Sequence, residues 1–295
     1  MKNTATLNKL VIIGVGLIGG SFALALRKAG RVEHIVGIGR SQQNMQHAIE
    51  LGVIDEIATD MASALHNADL VFLAMPVGQT AHIMAQIAPY LQANTIITDA
   101  GSTKQDVITA ARHHLPMQNR HHFVPGHPIA GTEQSGAQAA QADLYINKHV
   151  ILTPLPETSA DAVKQVRQLW QVCGAQVAIM PADEHDQVLA VTSHLPHILA
   201  FTMMNYLNHS TSHSENLFRF AGSGLRDFTR IASSSPEMWR DICLTNREVL
   251  LRQIDAYQNE LNALQEMLKN NDGEALEQAF SQARGVRENW LKSKA

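Results

Sequence analysis

The chain has 295 residues, 45% of them hydrophobic, which is ample for a buried core and, at roughly 100–200 residues per domain, predicts two domains. Its formal net charge of −4 excludes a global basic field that would attract nucleic acid, and no apolar stretch is long enough to predict a membrane span. The two cysteines, Cys173 and Cys243, form neither a disulfide framework nor a zinc-ligand spacing, which favours a reducing cytoplasm as the location.

Short apolar runs alternate with segments of helical spacing in the N-terminal part of the chain. The apolar runs predict strands at 9–15, 34–39, 70–75 and 95–99. The predicted helices are 21–29, 42–51, 80–91 and 104–114. Such alternation is typical of right-handed βαβ units, so we expect an α/β fold with a doubly wound, mainly parallel sheet.

The pattern changes after His127. Segments 149–154 and 176–180 could add strands around a helix near 160–173. From Ala182 onward we predict no strand, and the segments with helical apolar spacing are 182–207, 236–268 and 273–291. We therefore expect an α/β domain over residues 1–180 and an all-helical domain over residues 181–295.

A glycine-rich turn lies between the first predicted strand and the first predicted helix. Gly14, Gly16 and Gly19 form the pattern G-x-G-x-x-G, and Leu17 and Ile18 stand between the last two glycines. In this context the first glycine permits a tight turn, the second lets the backbone approach a pyrophosphate, and the third lets the helix pack on the strand. The helix N-terminus then favours the anion. These five residues predict the cofactor site of a Rossmann domain.

The end of the second strand bears on which dinucleotide is bound. NAD enzymes usually have an acidic residue about twenty residues after the glycines, and Gly39 stands near that place. Arg40 could bind a 2′-phosphate in a fork geometry, assisted by Ser41 and Gln42. This favours NADP over NAD, although Arg40 could instead stack on adenine and leave the enzyme indifferent. The remaining predicted cofactor residues, at the ends of later strands, are Met75, Pro76 and Ser102.

Four further motifs follow in order along the chain. They are DAGSTK at 99–104, GHPIAGTEQSG at 126–136, SHLPH at 193–197 and RDFTRI at 226–231. Together they resemble the prephenate, arogenate and cyclohexadienyl dehydrogenases of tyrosine biosynthesis, and the resemblance covers almost the whole chain. It implies a nicotinamide-dependent oxidative decarboxylation of a cyclohexadienol.

The resemblance also implies roles for the residues of these motifs. Hydride leaves C4 of prephenate or arogenate while the C4 hydroxyl loses its proton, and loss of carbon dioxide makes the ring aromatic. Because a neutral imidazole suits that proton transfer near neutral pH, His127 is the predicted catalytic base or hydrogen-bond catalyst. Ser102 is expected to hydrogen-bond His127, the substrate hydroxyl or the nicotinamide and so to fix orientation. We expect a tight Gly-His-Pro turn to hold His127 near the nicotinamide. For Lys104, a role at the cofactor and a role in opening a helix remain equally open.

The substrate carries at least two carboxylates, which call for cationic partners. Arg230 is the predicted partner of the ring carboxylate because a guanidinium can bind it in a bidentate fork. Asp227 and Glu133 could form a gating ion pair with this arginine, although a solvated surface charge cluster is the alternative. His194 and His197, one helical turn apart, are the other predicted substrate contacts.

The resemblance implies a homodimer formed through the helical domain, with a small-molecule substrate, and we predict no metal because the paired histidines have no third ligand nearby in sequence. Two alternative functions remain. A β-hydroxyacid dehydrogenase or imine reductase would share the two-domain design, but no lysine lies between Lys164 and Lys269. A non-catalytic NADP-binding sensor is disfavoured by the complete predicted catalytic set.

Overall fold

The structure, a computed structural model, describes residues 6–132, 134–209 and 218–293. Its main sheet consists of the parallel strands β1 Leu7–Ile13, β2 Val32–Ile38, β3 Glu56–Ile57, β4 Leu70–Leu73, β5 Ile96–Asp99 and β6 Phe123–Val124. Their order is β3-β2-β1-β4-β5-β6, so the direction of winding reverses between β1 and β4. The predicted doubly wound parallel sheet is confirmed, and in such sheets ligands bind at the carboxyl ends of the strands near this reversal.

Helices cover both faces of this sheet. They are α1 Leu17–Lys28, α2 Gln42–Glu50, α3 Met61–Leu65, α4 Thr80–Ile87, α5 Gln105–His114, α6 Met117–Arg120 and α7 Ala160–Val172. Successive residues of β1 enter different hydrophobic clusters: Leu10 and Ile12 belong to one, and Val11 and Ile13 belong to the other. Both faces of β1 are therefore buried, which explains its continuous apolar sequence.

A second sheet of three strands follows the main one. It consists of β7 Gly126–Pro128, β8 His149–Leu152 and β9 Gln176–Ile179, with β7 antiparallel and β9 parallel to β8. The prediction of a tight turn at His127 is wrong, because His127 pairs with Ile151 in the ladder. A residue before proline prefers extended backbone, which suits a strand. His127 is thus held by a sheet.

The later helices are α8 Ala182–Leu189, α9 Leu195–His209, α10 Ser223–Thr229, α11 Pro236–Thr245, α12 Arg247–Lys269 and α13 Gly273–Lys292. From residue 182 onward the described part of the chain contains no strand, as predicted. Two predicted continuous helices are interrupted. A π-helical turn over Ala190–His194 separates α8 from α9, and Asn246 ends α11 with backbone angles outside the helical range. Both interruptions lie beside buried polar side chains described below.

Packing divides the chain into two units, residues 1–247 and 248–295. The first unit contains both sheets and the helices through α11, and the second contains most of α12 and all of α13. The domain boundary near residue 180 stays a prediction. A search of the described residues finds no helix with the length and apolar character of a membrane span.

Candidate active site

The glycine turn between β1 and α1 has the shape of a phosphate cradle. Gly14 has a φ of +99°, and a Cβ there would lie 2.6 Å from the carbonyl group of Ala74. A Cβ at Gly19 would lie 2.4 Å from the Gly14 oxygen. Among the described residues, a Cβ at Gly16 would meet nothing within 4 Å, and no side chain caps the first amides of α1. The closed positions fix the turn, and the open position leaves amides that suit a pyrophosphate.

The neighbouring predicted cofactor residues surround this cradle. Leu17 and Ile18 begin α1, and the Ile18 carbonyl accepts a hydrogen bond of 2.6 Å from the Tyr145 hydroxyl. Ala74, the first residue after β4, lies against the glycine turn, and Met75 and Pro76 follow it. These residues therefore lie at the carboxyl ends of β1 and β4, where the winding reverses.

Arg40 lies at the carboxyl end of β2 and reaches a residue that the sequence interpretation misses. Its guanidinium nitrogens lie 3.3 and 3.5 Å from the two carboxylate oxygens of Glu237 in α11. Ser41 caps α2, accepting a 3.2 Å hydrogen bond from the amide of Asn44, and Gln42 is the first residue of that helix. A Cβ at Gly39 would lie 2.5 Å from the Met45 sulfur, so an acidic residue there would require Met45 to move.

His127 ends a buried chain of hydrogen-bonded side chains. Its Nδ1 lies 2.8 Å from Nε2 of His185, and Nδ1 of His185 lies 2.8 Å from a carboxylate oxygen of Asp186. All three residues are at most 9% exposed. An ionised Asp186 only accepts, so His185 donates from Nδ1 and accepts at Nε2, and His127 donates from Nδ1. The network thereby leaves Nε2 of His127 with a lone pair that can accept a proton.

The electrostatic environment keeps this chain in that protonation state. Burial, followed by the electrostatic cost of a second proton beside His185 and by the charge of Lys104, holds the pKa of His127 well below its ordinary value. Burial also lowers the pKa of His185, although Asp186 acts in the opposite direction. Burial raises the pKa of Asp186, but hydrogen bonds from His185 and from two backbone amides outweigh it and lower that pKa overall. The result is a neutral imidazole pair behind an ionised carboxylate.

Asp186 also joins three parts of the chain. It accepts hydrogen bonds from the amides of Lys104 and Gln105 at 2.8 and 3.0 Å, which places its charge at the N-terminus of α5. The side chain of Asn246 donates to the Asp186 carbonyl at 2.9 Å and lies 3.2 Å from Nδ1 of His194. The interruption at Asn246 therefore serves to tie α8 to the π-helical turn.

Lys104 is completely buried, which settles neither of its two predicted roles. Its ammonium donates to the carboxylate of Asp99 and, at 2.8 Å, to the carbonyl of Gly126. The other Asp99 oxygen accepts a 3.0 Å hydrogen bond from the Gly126 amide. This ion pair connects the end of β5 to the residue that precedes His127, and so it fixes the start of β7.

The two histidines of the long helical region have different surroundings. His194 is 1% exposed, and burial lowers its pKa to about 4, while Asp186 and the Ser102 backbone act in the opposite direction. His197 is half-buried and stacks on Trp239, with ring centroids 3.9 Å apart. Within the described residues the indole nitrogen of Trp239 is buried without a hydrogen-bond partner, which is uncommon for a buried polar group.

The other predicted site residues are placed as follows. Ser102 is half-buried in the loop after β5, and in the described chain its hydroxyl makes no hydrogen bond to His127. Arg230 is exposed at the start of a 3₁₀ turn, and its charge helps to lower the pKa of His197, after burial. Asp227 is 75% exposed and lies 3.9 Å from Arg226. Glu133 lies outside the described residues, so its gating role remains a prediction.

Comparisons with known proteins agree with the family resemblance of the sequence. Residues 22–179 match the model of the prephenate dehydrogenase nucleotide-binding domain, and residues 181–282 match that of the prephenate dehydrogenase dimerization domain. A prephenate dehydrogenase of Bacillus subtilis is 41% identical over 98% of this chain and 76% of its own length. A cyclohexadienyl dehydrogenase of Zymomonas mobilis is 35% identical over 94% of each chain.

A solved structure extends the similarity to three dimensions. The crystal structure of prephenate dehydrogenase from A. aeolicus, in complex with hydroxyphenyl propionate and NAD+, superposes with a TM-score of 0.91. The two sequences are 36% identical, and the match covers 97% of this chain and 99% of the other. The similarity therefore includes the sheets, the glycine turn and the helical region.

Proposed function

The chain belongs to the prephenate dehydrogenase family, and we propose that it oxidatively decarboxylates prephenate, arogenate or both, yielding 4-hydroxyphenylpyruvate or tyrosine. It is an oxidoreductase that uses a nicotinamide cofactor. The observation that carries the proposal is the chain from Asp186 through His185 to His127, which leaves one imidazole nitrogen able to take a proton.

The cofactor fits the glycine cradle, because the open position at Gly16 and the uncapped amides of α1 suit its pyrophosphate. When bound, the nicotinamide supplies the acceptor for the hydride lost from C4 of the substrate. We predict that Arg40, Ser41 and Gln42 hold the adenosine end and favour NADP over NAD, because no acidic residue stands at Gly39 to repel a 2′-phosphate.

His127 is the proposed base. Its Nε2 takes the proton of the C4 hydroxyl, while its Nδ1–H remains bonded to His185 and fixes the ring orientation. The ionised Asp186 stabilises the positive charge that develops on the imidazole pair during the transfer. Loss of carbon dioxide from the ring then completes aromatisation. His185 and Asp186 act through His127 and are positioning residues, and Ser102 is proposed to hydrogen-bond the substrate hydroxyl or the nicotinamide.

Binding of the substrate carboxylates is assigned to the helical region. Arg230 is proposed to bind the ring carboxylate. His194, His197 and the indole N–H of Trp239 are proposed to bind the side-chain carboxylate. Asp227 and Glu133 keep their proposed gating role with Arg230. None of these contacts distinguishes a keto from an amino side chain, so both substrates are retained.

We also propose that the enzyme is a homodimer working in the cytoplasm. The matched family domain is described as a dimerization domain, and α12 and α13 expose large apolar side chains, among them Leu261, Phe280 and Val286. Both cysteines are free thiols, which is compatible with a reducing compartment. Sedimentation of the purified chain, showing a single species of twice the monomer mass, would support the dimer.

The decisive experiment is a turnover assay with four mixtures, crossing prephenate and arogenate with NADP+ and NAD+. Appearance of reduced nicotinamide, together with release of carbon dioxide, is the expected result in at least one mixture. Fast reduction of NADP+ would support the prediction from Arg40. No reduction in any mixture would overturn the proposed function and would favour a reductase of another class or a non-catalytic sensor.

A further inference from the structure

The ion pair between Arg40 and Glu237 joins two segments 197 residues apart at the adenosine end of the proposed cofactor site. Both guanidinium nitrogens face a carboxylate oxygen, at 3.3 and 3.5 Å, in a side-by-side arrangement. The side chains are 72% and 41% exposed, so each can exchange partners with a solute. The carboxyl end of β2, where Arg40 stands, is the place at which dinucleotide-binding sheets meet the adenine ribose.

Glu237 stands in the first turn of α11, where a negative charge is favourable, but that role does not require contact with Arg40. The N-terminus of α11 is already capped by Ser235, whose hydroxyl accepts a hydrogen bond from the Met238 amide at 3.4 Å. Arg240, whose pKa Glu237 helps to raise after Asp241, is bound to Asp241 by two hydrogen bonds of 2.8 and 2.6 Å. The Glu237 carboxylate is therefore directed at Arg40, the cation on which the preference for NADP depends.

We propose that Glu237 is a specificity-determining residue for the cofactor. It competes with a 2′-phosphate for Arg40, reduces the binding preference for NADP and thereby allows NAD to be used as well. A 2′-phosphate must displace the carboxylate from the guanidinium and also meets its negative charge. A ribose with a free 2′-hydroxyl meets neither obstacle. A distant helix thus supplies a negative charge that opposes a 2′-phosphate at the end of the second strand. This inference rests on the proposed function of the site.

The test measures binding of the two dinucleotides without substrate. Dissociation constants of NADP+ and NAD+ are obtained by isothermal titration calorimetry for the wild type, Glu237→Gln and Arg40→Gln. We expect Glu237→Gln to tighten NADP+ by about twofold to fivefold, the size expected for an exposed charge pair, and to leave NAD+ within about twofold. Arg40→Gln should weaken NADP+ by roughly tenfold, because it removes a charge-assisted phosphate contact.

Controls separate this effect from a general change of charge or fold. Glu33→Gln removes the same charge from an exposed position at the opposite end of β2 and should change neither constant. An equal change of both constants in Glu237→Gln, or no change in either, would overturn the inference while leaving the proposed function intact. If the wild type binds neither dinucleotide, the proposed function fails and the inference fails with it.

Discussion

The two ends of the site handle charge in opposite ways. At the catalytic end, His127, His185 and Asp186 are nearly inaccessible to water and form an unbroken chain of 2.8 Å contacts. At the adenosine end, Arg40 and Glu237 form a longer pair that is largely exposed. A buried polar group left without its partner costs far more than an exposed one. Substitutions in the buried chain are therefore expected to reduce turnover strongly, whereas substitutions in the exposed pair are expected to change the cofactor preference moderately.

The largest expected effect tests the buried end directly. In His127→Asn the amide can still donate to His185 but cannot take the substrate proton, so kcat should fall by about 10²–10⁴-fold. The dissociation constant of NADP+ should stay within about twofold, because the glycine cradle is untouched. His82→Asn, at an exposed position of α4, is the matched control. Substantial turnover by His127→Asn would assign the base elsewhere and break the contrast between the two ends.

Asp186→Asn should have the next largest effect. An amide offers one acceptor oxygen where the carboxylate accepts from His185 and from two backbone amides, so the free energy of unfolding should fall by about 1–3 kcal/mol. We also expect kcat to fall roughly 10–100-fold with a smaller change in KM, because the imidazole pair loses the charge that stabilises its protonated form.

The pH profile distinguishes a positioning role for Asp186 from mere structural support. Asp186 raises the pKa of His185, so removal of its negative charge should make a proton on the imidazole pair less favourable, and the acid limb of kcat should move to lower pH in Asp186→Asn. Asp183→Asn, at an exposed position in the first turn of the same helix, should lower stability by at most about 0.3–1 kcal/mol and leave the profile unchanged. Loss of stability with an unmoved acid limb would reduce Asp186 to a purely structural residue.

The sequence predicts some strands of the fold and misses others. Continuous apolar runs predict the four longer strands because both faces of the sheet are buried, whereas β3 and β6 have two residues each and carry no detectable period. Glycine and proline are typical turn residues, so Gly126 and Pro128 predict a turn around His127. The strand is recognised only from its pairing with β8.

The site was predictable where its residues stand within a local motif. The glycine turn depends on neighbours in the chain, so its spacing is visible in the sequence. Asp186 meets the amide of Lys104 across 82 residues, and Glu237 meets Arg40 across 197, so no local pattern announces either contact. The sequence likewise gives no sign that Trp239 belongs to the site, because its contact with His197 arises only in the folded chain.

Acid should destabilise the folded chain through the buried histidines. The folded pKa of His194 is about 4, below its ordinary value of 6.5, so at a pH between these values the unfolded chain binds more protons. Stability is therefore complete above about pH 6.5 and should decline by roughly 1.4 kcal/mol per pH unit for one such group as pH falls. Urea unfolding across this window should show a shallower decline in His194→Asn than in the wild type or in His82→Asn. An identical decline in all three would exclude His194 as a source.

The smallest expected effect is that of salt concentration, which should change the cofactor preference but not kcat. The Debye length shortens from about 10 Å at 0.1 M salt to about 3 Å at 1 M, so an exposed charge contact weakens while a buried one is hardly screened. Over that range the preference for NADP+ in binding should fall by about twofold to threefold, and less in Arg40→Gln, which lacks the cation. The kcat at saturating cofactor and substrate should stay nearly constant, because the chain behind His127 is inaccessible to ions. If kcat fell as steeply as the preference, the catalytic end would be open to solvent in the working enzyme, and burial could not be the reason for its fixed protonation state.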